Sequence, residues 1–174
     1  MTYELESVRT QGLDVTIISD ALAIPITLAE VKTHVNVDFA DHDVLLTSLL
    51  ASAFREVELF TQKALKTKTV RQSFKEINGT VELVYSPVQS ITSVTDASNV
   101  TLAYTYSPDK TKVDAYSASG IKITFVAGYS SLPSDLRNAV LDIIAVDFDN
   151  KVEDKRLALK AIKDRIRHYR PIYV

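Results

Sequence analysis

Residues 57–79 read VELFTQKALKTKTVRQSFKEING, and the period of their apolar residues changes partway along. Up to about Ala64 those residues recur at helical spacing, and from Thr69 they alternate as a half-buried strand requires. Upstream lie two helical stretches, about Thr27 to Lys66. Downstream comes a β-rich middle, about Thr69 to Val126, and then two more helical stretches, about Ser134 to Tyr169. Helices and strands that come in separate runs predict an α+β class. The expected fold is a helical bundle of about four helices with a small antiparallel β-sheet inserted between the second and third helices. No Pro/Gly/Ser linker is long enough to split the chain, so one domain is expected. It divides into an N-terminal arm (1–25), helices 1 and 2 (26–67), a β-sheet subdomain (68–128), helices 3 and 4 (133–170) and a tail (171–174).

The helices announce their own starts. Thr27 and Glu30 form the T-x-x-E pattern of a capping box, in which hydroxyl and carboxylate each satisfy a free amide. That predicts a short helix from Leu28 to about His34, with Leu28, Val31 and Val35 on one side. NVDFADHD follows as a break, where Asp38, Asp41 and Asp43 suit free helix amides and a positive helix end. The second helix is expected over about Asp41 to Ala64. Leu45, Leu49, Ser52, Glu56 and Phe60 make one stripe. Val44, Leu46, Leu50, Ala53, Val57 and Ala64 widen it beyond what a one-sided helix needs. Two explanations stand: a central helix in the protomer core, or burial on two sides, by its own core and by a neighbouring subunit. The second makes Leu46, Leu50, Ala53 and Val57 a candidate inter-subunit face. Ser134 after Pro133 is an expected N-cap for a third helix to about Asn150, and Asp154 opens a fourth to about His168.

In the middle, Asn78-Gly79 predicts a tight hairpin between TVRQSFKEI and TVELVYS. VQSITSVTD, VTLAYTYS, KVDAYS and IKITFVAGY supply further strands. LDVTIISD, in the arm, alternates weakly and suits an edge strand or an arm lying on a neighbour.

Composition excludes several classes. The 174 residues include no cysteine, so disulfides, thiolate zinc sites and a cysteine nucleophile are out. Hydrophobic residues make up 46% and charged residues 24%, ordinary for a globular chain. No apolar run approaches the ~18 residues of a spanning helix, so no membrane is expected among the partners. The acidic, polar start MTYELESVRT is unlike a signal peptide. Net charge is −2, but 151–170 holds eight Lys/Arg against three Asp/Glu, which leaves −7 for the rest. The basic end reads as a solvated helix face, or as a docking surface for an acidic partner or DNA phosphates.

A reaction centre is not visible. His34, His42 and His168 do not make a metal-ligand pattern, and D-x-x-D-x-D at 38–43 lacks the glycine and distal glutamate of a calcium loop. No nucleophile elbow or glycine-rich phosphate loop occurs. Glu56/Glu58 and Asp147/Asp149 are two apart on helices and point apart. No cofactor, metal or catalytic residue is expected. RIRHYRPIYV at the C-terminus carries the strongest binding signal: Arg165, Arg167 and Arg170 interleave with Tyr169 and Tyr173, the composition of interface anchors. Ile172, Tyr173 and Val174 follow a helix-stopping proline and would gain from burial on a partner.

Four phrases, in order, resemble the head–tail connector (adaptor, head-completion) family of tailed bacteriophages: ITLAEVKTHVNVDFADHDVLLTSLLASAFREVELFT, SPVQSITSV, VAGYSSLPSDLRNAVLDIIAVDFDN and HYRP. The resemblance spans about Ile26 to Arg170 and carries over no catalytic residue. It implies a structural virion protein made in the host bacterial cytoplasm and placed in the virion neck. The chain would be one subunit of a homo-oligomeric ring, usually dodecameric, below the portal protein. The ring would extend the DNA channel without sequence-specific DNA binding, and would offer a surface to the next neck or tail protein, a stopper or tail terminator. On that reading Arg165, Arg167, Tyr169, Arg170, Ile172 and Tyr173 are the candidate portal interface. Another neck or tail-completion protein, and a small α+β binding module, are the alternatives.

Overall fold

The computed structural model describes residues 14–21, 23–75, 77–117, 120–149 and 154–171. Its elements are β1 (Asp14–Asp20), α1 (Leu28–His34), α2 (Asp43–Thr61), β2 (Lys68–Phe74), β3 (Ile77–Glu82), β4 (Val88–Asp96), β5 (Tyr104–Tyr106), β6 (Lys112–Ser117), β7 (Ile121–Ala127), α3 (Ser134–Phe148) and α4 (Lys155–Arg165). The chain is α+β, with four α-helices and antiparallel sheets among the described residues. Two compact units are distinguished. One takes the described residues up to Ala21 together with Lys66–Ser130. The other takes the described residues of Leu22–Leu65 and Ser131–Val174.

The first unit corrects two expectations. Instead of one small inserted sheet the described residues form two, a four-stranded one in the order β1-β2-β7-β4 and a three-stranded one in the order β3-β6-β5. β1 precedes α1, so the four-stranded sheet draws on both sides of the first two helices. DVTIISD supplies this edge strand, paired with β2. The Asn78-Gly79 hairpin is not formed either. β2 has both edges occupied, by β1 and β7, so β3 pairs with β6 instead. Asn78 and Gly79 lie within β3, opposite Tyr116 and Ala115.

Alternation sets the buried face of the four-stranded sheet. Val70, Gln72 and Phe74 of β2 stand opposite Phe125, Ile123 and Ile121 of β7, and all six are buried. Gln72 is the polar member of that row. It is satisfied because its amide donates to the Glu82 carbonyl (3.0 Å) and accepts from the Val84 amide (3.1 Å). The side chain thereby ties β2 to the segment that continues β3.

The turn between β5 and β6 is held by Asp109. Its carboxylate accepts from the hydroxyls of Ser107 (2.5 Å) and Thr111 (2.7 Å) and from the Thr111 amide (3.3 Å). The Ser107 hydrogen bond, then those of Thr111, stabilise the charged form and lower the Asp109 pKa to about 2. A depressed folded pKa means the contribution is present above the unfolded value near 4 and is lost as pH falls through about 2. Asp109 is therefore expected to titrate near pH 2 in carboxyl-detected NMR, with the β5–β6 turn loosening over the same interval. Titration near 4 would show that these hydrogen bonds do not persist in solution.

In the helical unit the capping box forms as read. The Thr27 amide donates to Glu30 (2.8 Å), and the Glu30 amide donates to the Thr27 hydroxyl (3.2 Å). The Thr27 amide and then the Thr27 hydroxyl (2.9 Å), both donating to the Glu30 carboxylate, and after them Arg137 opposite, hold the Glu30 carboxyl below its usual range. The other starts differ from the reading. Pro133, not Ser134, is the N-cap of α3. Asp38, Asp41 and Asp43 are not the cap residues of the break. A 3-10 turn at Ala40–His42 leads into α2, with Phe39 and His42 at the caps and no side-chain cap hydrogen bond. Asp43 instead pairs with Lys32 (2.7 Å). Asp154 is the N-cap of α4 (Lys155–Arg165), accepting from the Leu157 amide (2.9 Å).

The buried side of α2 is Leu46, Leu50, Ala53, Phe54, Val57 and Thr61. The stripe Leu45, Leu49, Ser52, Glu56 and Phe60 is turned away from it, with Leu45 and Ser52 exposed and the other three half-buried. α3 answers with Leu136, Ala139, Val140, Ile143 and Ile144, all fully buried. Ile162 and Ile166 complete the unit's core from α4 and its C-cap.

Candidate assembly surface

The six side chains expected at a partner interface separate into three groups. Ile172 and Tyr173 lie outside the described residues. Arg165 forms an ion pair with Asp142, whose other oxygen meets His34 Nε2 at 3.2 Å. Tyr169 is half-buried, its hydroxyl pKa raised by burial and then by Asp135, and His168 stacks beside it at 4.3 Å. Arg170 lies over the Phe60 ring at 5.2 Å. Arg167 is exposed, with no ion pair among the described residues. It has company: Arg156, Lys160, Lys163 and Arg167 recur at spacings of four, three and four, which places them along one side of α4 and its 3-10 extension. Of these four, Lys163 is the one paired among the described residues, to Glu56 at 2.7 Å.

The expected inter-subunit face needs correction. Leu46, Leu50, Ala53 and Val57 are each 7% exposed or less, consumed by the core of their own unit. The wide apolar surface of α2 had two sides, and these four residues are the inner one. The outer side is where free apolar area remains. Val44 is 86% exposed and Leu59 64%, and Leu45 is exposed as well. Phe39, just before the helix, is 56% exposed although its ring packs on His42, itself edge-on to Phe148.

Near the C-terminal end of α2 a shallow groove is lined by Arg55, Glu56, Leu59, Phe60, Lys163 and Arg170. Two cations approach the Phe60 ring, Lys163 at 5.9 Å and Arg170 at 5.2 Å. In the sequence Glu56 and Phe60 fall on one of two helical stripes of α2, and that spacing alone does not reveal the groove. The available signal was the four-residue spacing of Arg55 and Leu59 on the side opposite Val57.

For chemistry the arrangement offers little. Among the described residues no group of three His, Asp or Glu side chains is placed to hold a metal ion. His34 serves Asp142 and His42 serves two phenyl rings. Glu56 is held by Lys163, and Glu58 accepts from the Leu65 amide at 2.9 Å. Among the described residues no helix is long and apolar enough to cross a membrane. Exposed apolar groups beside exposed cations suit the contact of macromolecular surfaces.

Comparison with known proteins agrees. Several solved structures share the fold. A chain in the neck of an empty GTA particle, at C6 symmetry, is similar with a TM-score of 0.70 and 22% identity, over 92% of this chain and 97% of that one. A chain in the virion of the native gene transfer agent gives 0.67 and 22%, covering 92% and 96%. A chain in the neck of the native particle, at C12 symmetry, gives 0.65 and 22%, covering 91% and 97%. No curated protein matches the chain in sequence. The family profile of phage gp6-like head-tail connector proteins matches residues 25–117, more than half of the sequence, and the chain therefore belongs to that family of structural head–tail connectors.

Proposed function

We propose that this protein is a ring subunit of a virion neck, seated below the portal. The ring would extend the DNA channel and offer the attachment surface for the next neck or tail protein. The observation that carries this reading is the combination of family membership with a fold shared, over more than nine-tenths of the chain, with chains of particle necks at C6 and C12 symmetry. A dodecamer fits the latter. The protein acts by contact rather than by catalysis, and DNA passes it without base-specific recognition. Arg167, with Arg156 and Lys160 on the same basic side of α4, forms the portal-facing surface.

Light scattering and negative-stain microscopy, on the protein alone and with purified portal from the same genome, test the reading. A ring-sized mass in either condition supports it. Arg167→Glu is expected to weaken portal capture by about tenfold, the scale of one lost interfacial charge contact, while leaving the fold intact. A chain that stays monomeric and ignores the portal would remove both ring and docking. An Arg167→Glu variant that binds as the parent does would move the docking surface away from α4.

A further inference from the structure

The outer side of α2 differs at its two ends. At the N-terminal end Asp38, Phe39, Asp41 and Val44 are exposed, and with Leu45 they make an apolar knob bearing two carboxylates. The knob is pre-shaped, because the Phe39 ring rests on His42 at 5.6 Å and His42 rests on Phe148 at 5.4 Å. Neither Asp38 nor Asp41 has an ion pair among the described residues, whereas neighbouring Asp43 is committed to Lys32. At the C-terminal end lies the groove of Leu59 and Phe60, ringed by Arg55, Lys163 and Arg170 against the one carboxylate of Glu56. Val44 and Leu59 are fifteen residues apart on the helix, about 22 Å. Between them the small side chains of Ser48, Ala51 and Ser52 are also exposed.

We infer that the acidic apolar knob of one copy docks in the basic apolar groove of a second copy. The inference rests on the ring reading and names its contact. Apolar surface meets apolar surface, and the two carboxylates of the knob meet the cationic rim, so charge as well as shape selects the partner. Knob and groove are different patches on the same unit. Each docking event therefore leaves one free knob and one free groove, which is the heterologous contact that a closed ring requires. A DNA backbone would engage the cations but would leave the acidic knob without a counterpart.

The chain has no cysteine, so introduced thiols report cleanly. A variant carrying both Val44→Cys and Leu59→Cys, treated with a short bis-maleimide under assembling conditions, is expected to give a ladder extending past the dimer. Each single variant is expected to give no ladder. A product that stops at the dimer would mean an antiparallel, isologous pairing of α2 and would overturn the inference. So would rings, seen by microscopy, in which the thiols fail to link. Asp38→Lys with Asp41→Lys, and separately Arg55→Glu with Arg170→Glu, should each raise the concentration needed for assembly about tenfold or more. The four changes together should recover most of that loss. Rings that form normally in both charge-reversed variants would discard the contact but leave the ring reading standing. A parent protein that never assembles, alone or with portal, would discard the ring reading itself.

Discussion

Gly128→Val is expected to unfold the sheet unit. Gly128 ends β7 at φ +109°, a conformation that side chains strain to adopt. A Cβ there would stand 2.2 Å from the Lys66 carbonyl oxygen and 3.0 Å from the Thr67 Cα, both backbone atoms that cannot swing aside. The site is pinned in two more ways. The Gly128 amide donates to the Pro87 carbonyl (2.8 Å), and its carbonyl accepts from the Gln89 side chain (2.9 Å). Relieving the clash means moving β7 away from the strand that starts at Lys68, and both halves of that pairing are core. Conformational strain alone is about 1–3 kcal/mol. With displacement of a central strand added, the total enters the exceptional range above about 4 kcal/mol. That is a large part of the roughly 5–15 kcal/mol that holds a domain folded.

Two other glycines calibrate the effect. Gly120 is also at positive φ, but an added Cβ would lie 3.1 Å from the Phe74 and Lys75 carbonyl oxygens, a contact that small shifts relieve. Gly79, at φ +111°, has nothing within 4 Å and keeps only the conformational cost. Urea denaturation of the alanine variants at 79, 120 and 128 should therefore rank Gly128 far above Gly120, and Gly120 above Gly79. A Gly128→Val protein that unfolds within about 1 kcal/mol of the parent would show that the chain does not pass so close at Lys66–Thr67.

The same glycines indicate what a sequence displays and what it hides. A capping box is local, so Thr27 and Glu30 announced α1 without any knowledge of what packs on it. The switch of period after Ala64 was equally local, and α2 and β2 lie where it placed them. Asn78-Gly79 is the contrary case. As a dipeptide it suits a two-residue turn, but β2 already has partners on both edges, and strand pairing is decided by segments dozens of residues away. Likewise β1 was legible as a possible edge strand, while its incorporation beside β2 depended on the sheet. For the candidate surface, the basic character of α4 could be counted directly. Which arginine was spent on Asp142 and which remained available required the fold. The apolar breadth of α2 was visible too, yet breadth does not say which side is the inner one.

That inner and outer distinction yields the other large effect. Leu46→Ala is expected to cost about 2–5 kcal/mol, because a fully buried leucine leaves a cavity that α2 and α3 close only in part. Leu46→Asp should abolish folding of the helical unit, since it puts a carboxylate at a position with 0% exposure. Val44→Lys, two residues earlier on the same helix, should change stability by no more than about 0.5 kcal/mol, because 86% of that side chain already meets solvent. Its effect should fall on assembly instead, where it replaces apolar surface with a cation in the acidic knob that faces a cationic rim. Thermal melts paired with light scattering separate the cases: Leu46→Ala lowers the transition, Leu46→Asp loses it, and Val44→Lys keeps it and loses the ring. Equal destabilisation at both positions would mean that Val44 is packed in solution. A Val44→Lys protein that both folds and assembles like its parent would leave α2 as a core helix and nothing more, and the search for the inter-subunit contact would pass to the edge strand β1, where Ile17 and Ile18 are the exposed apolar residues.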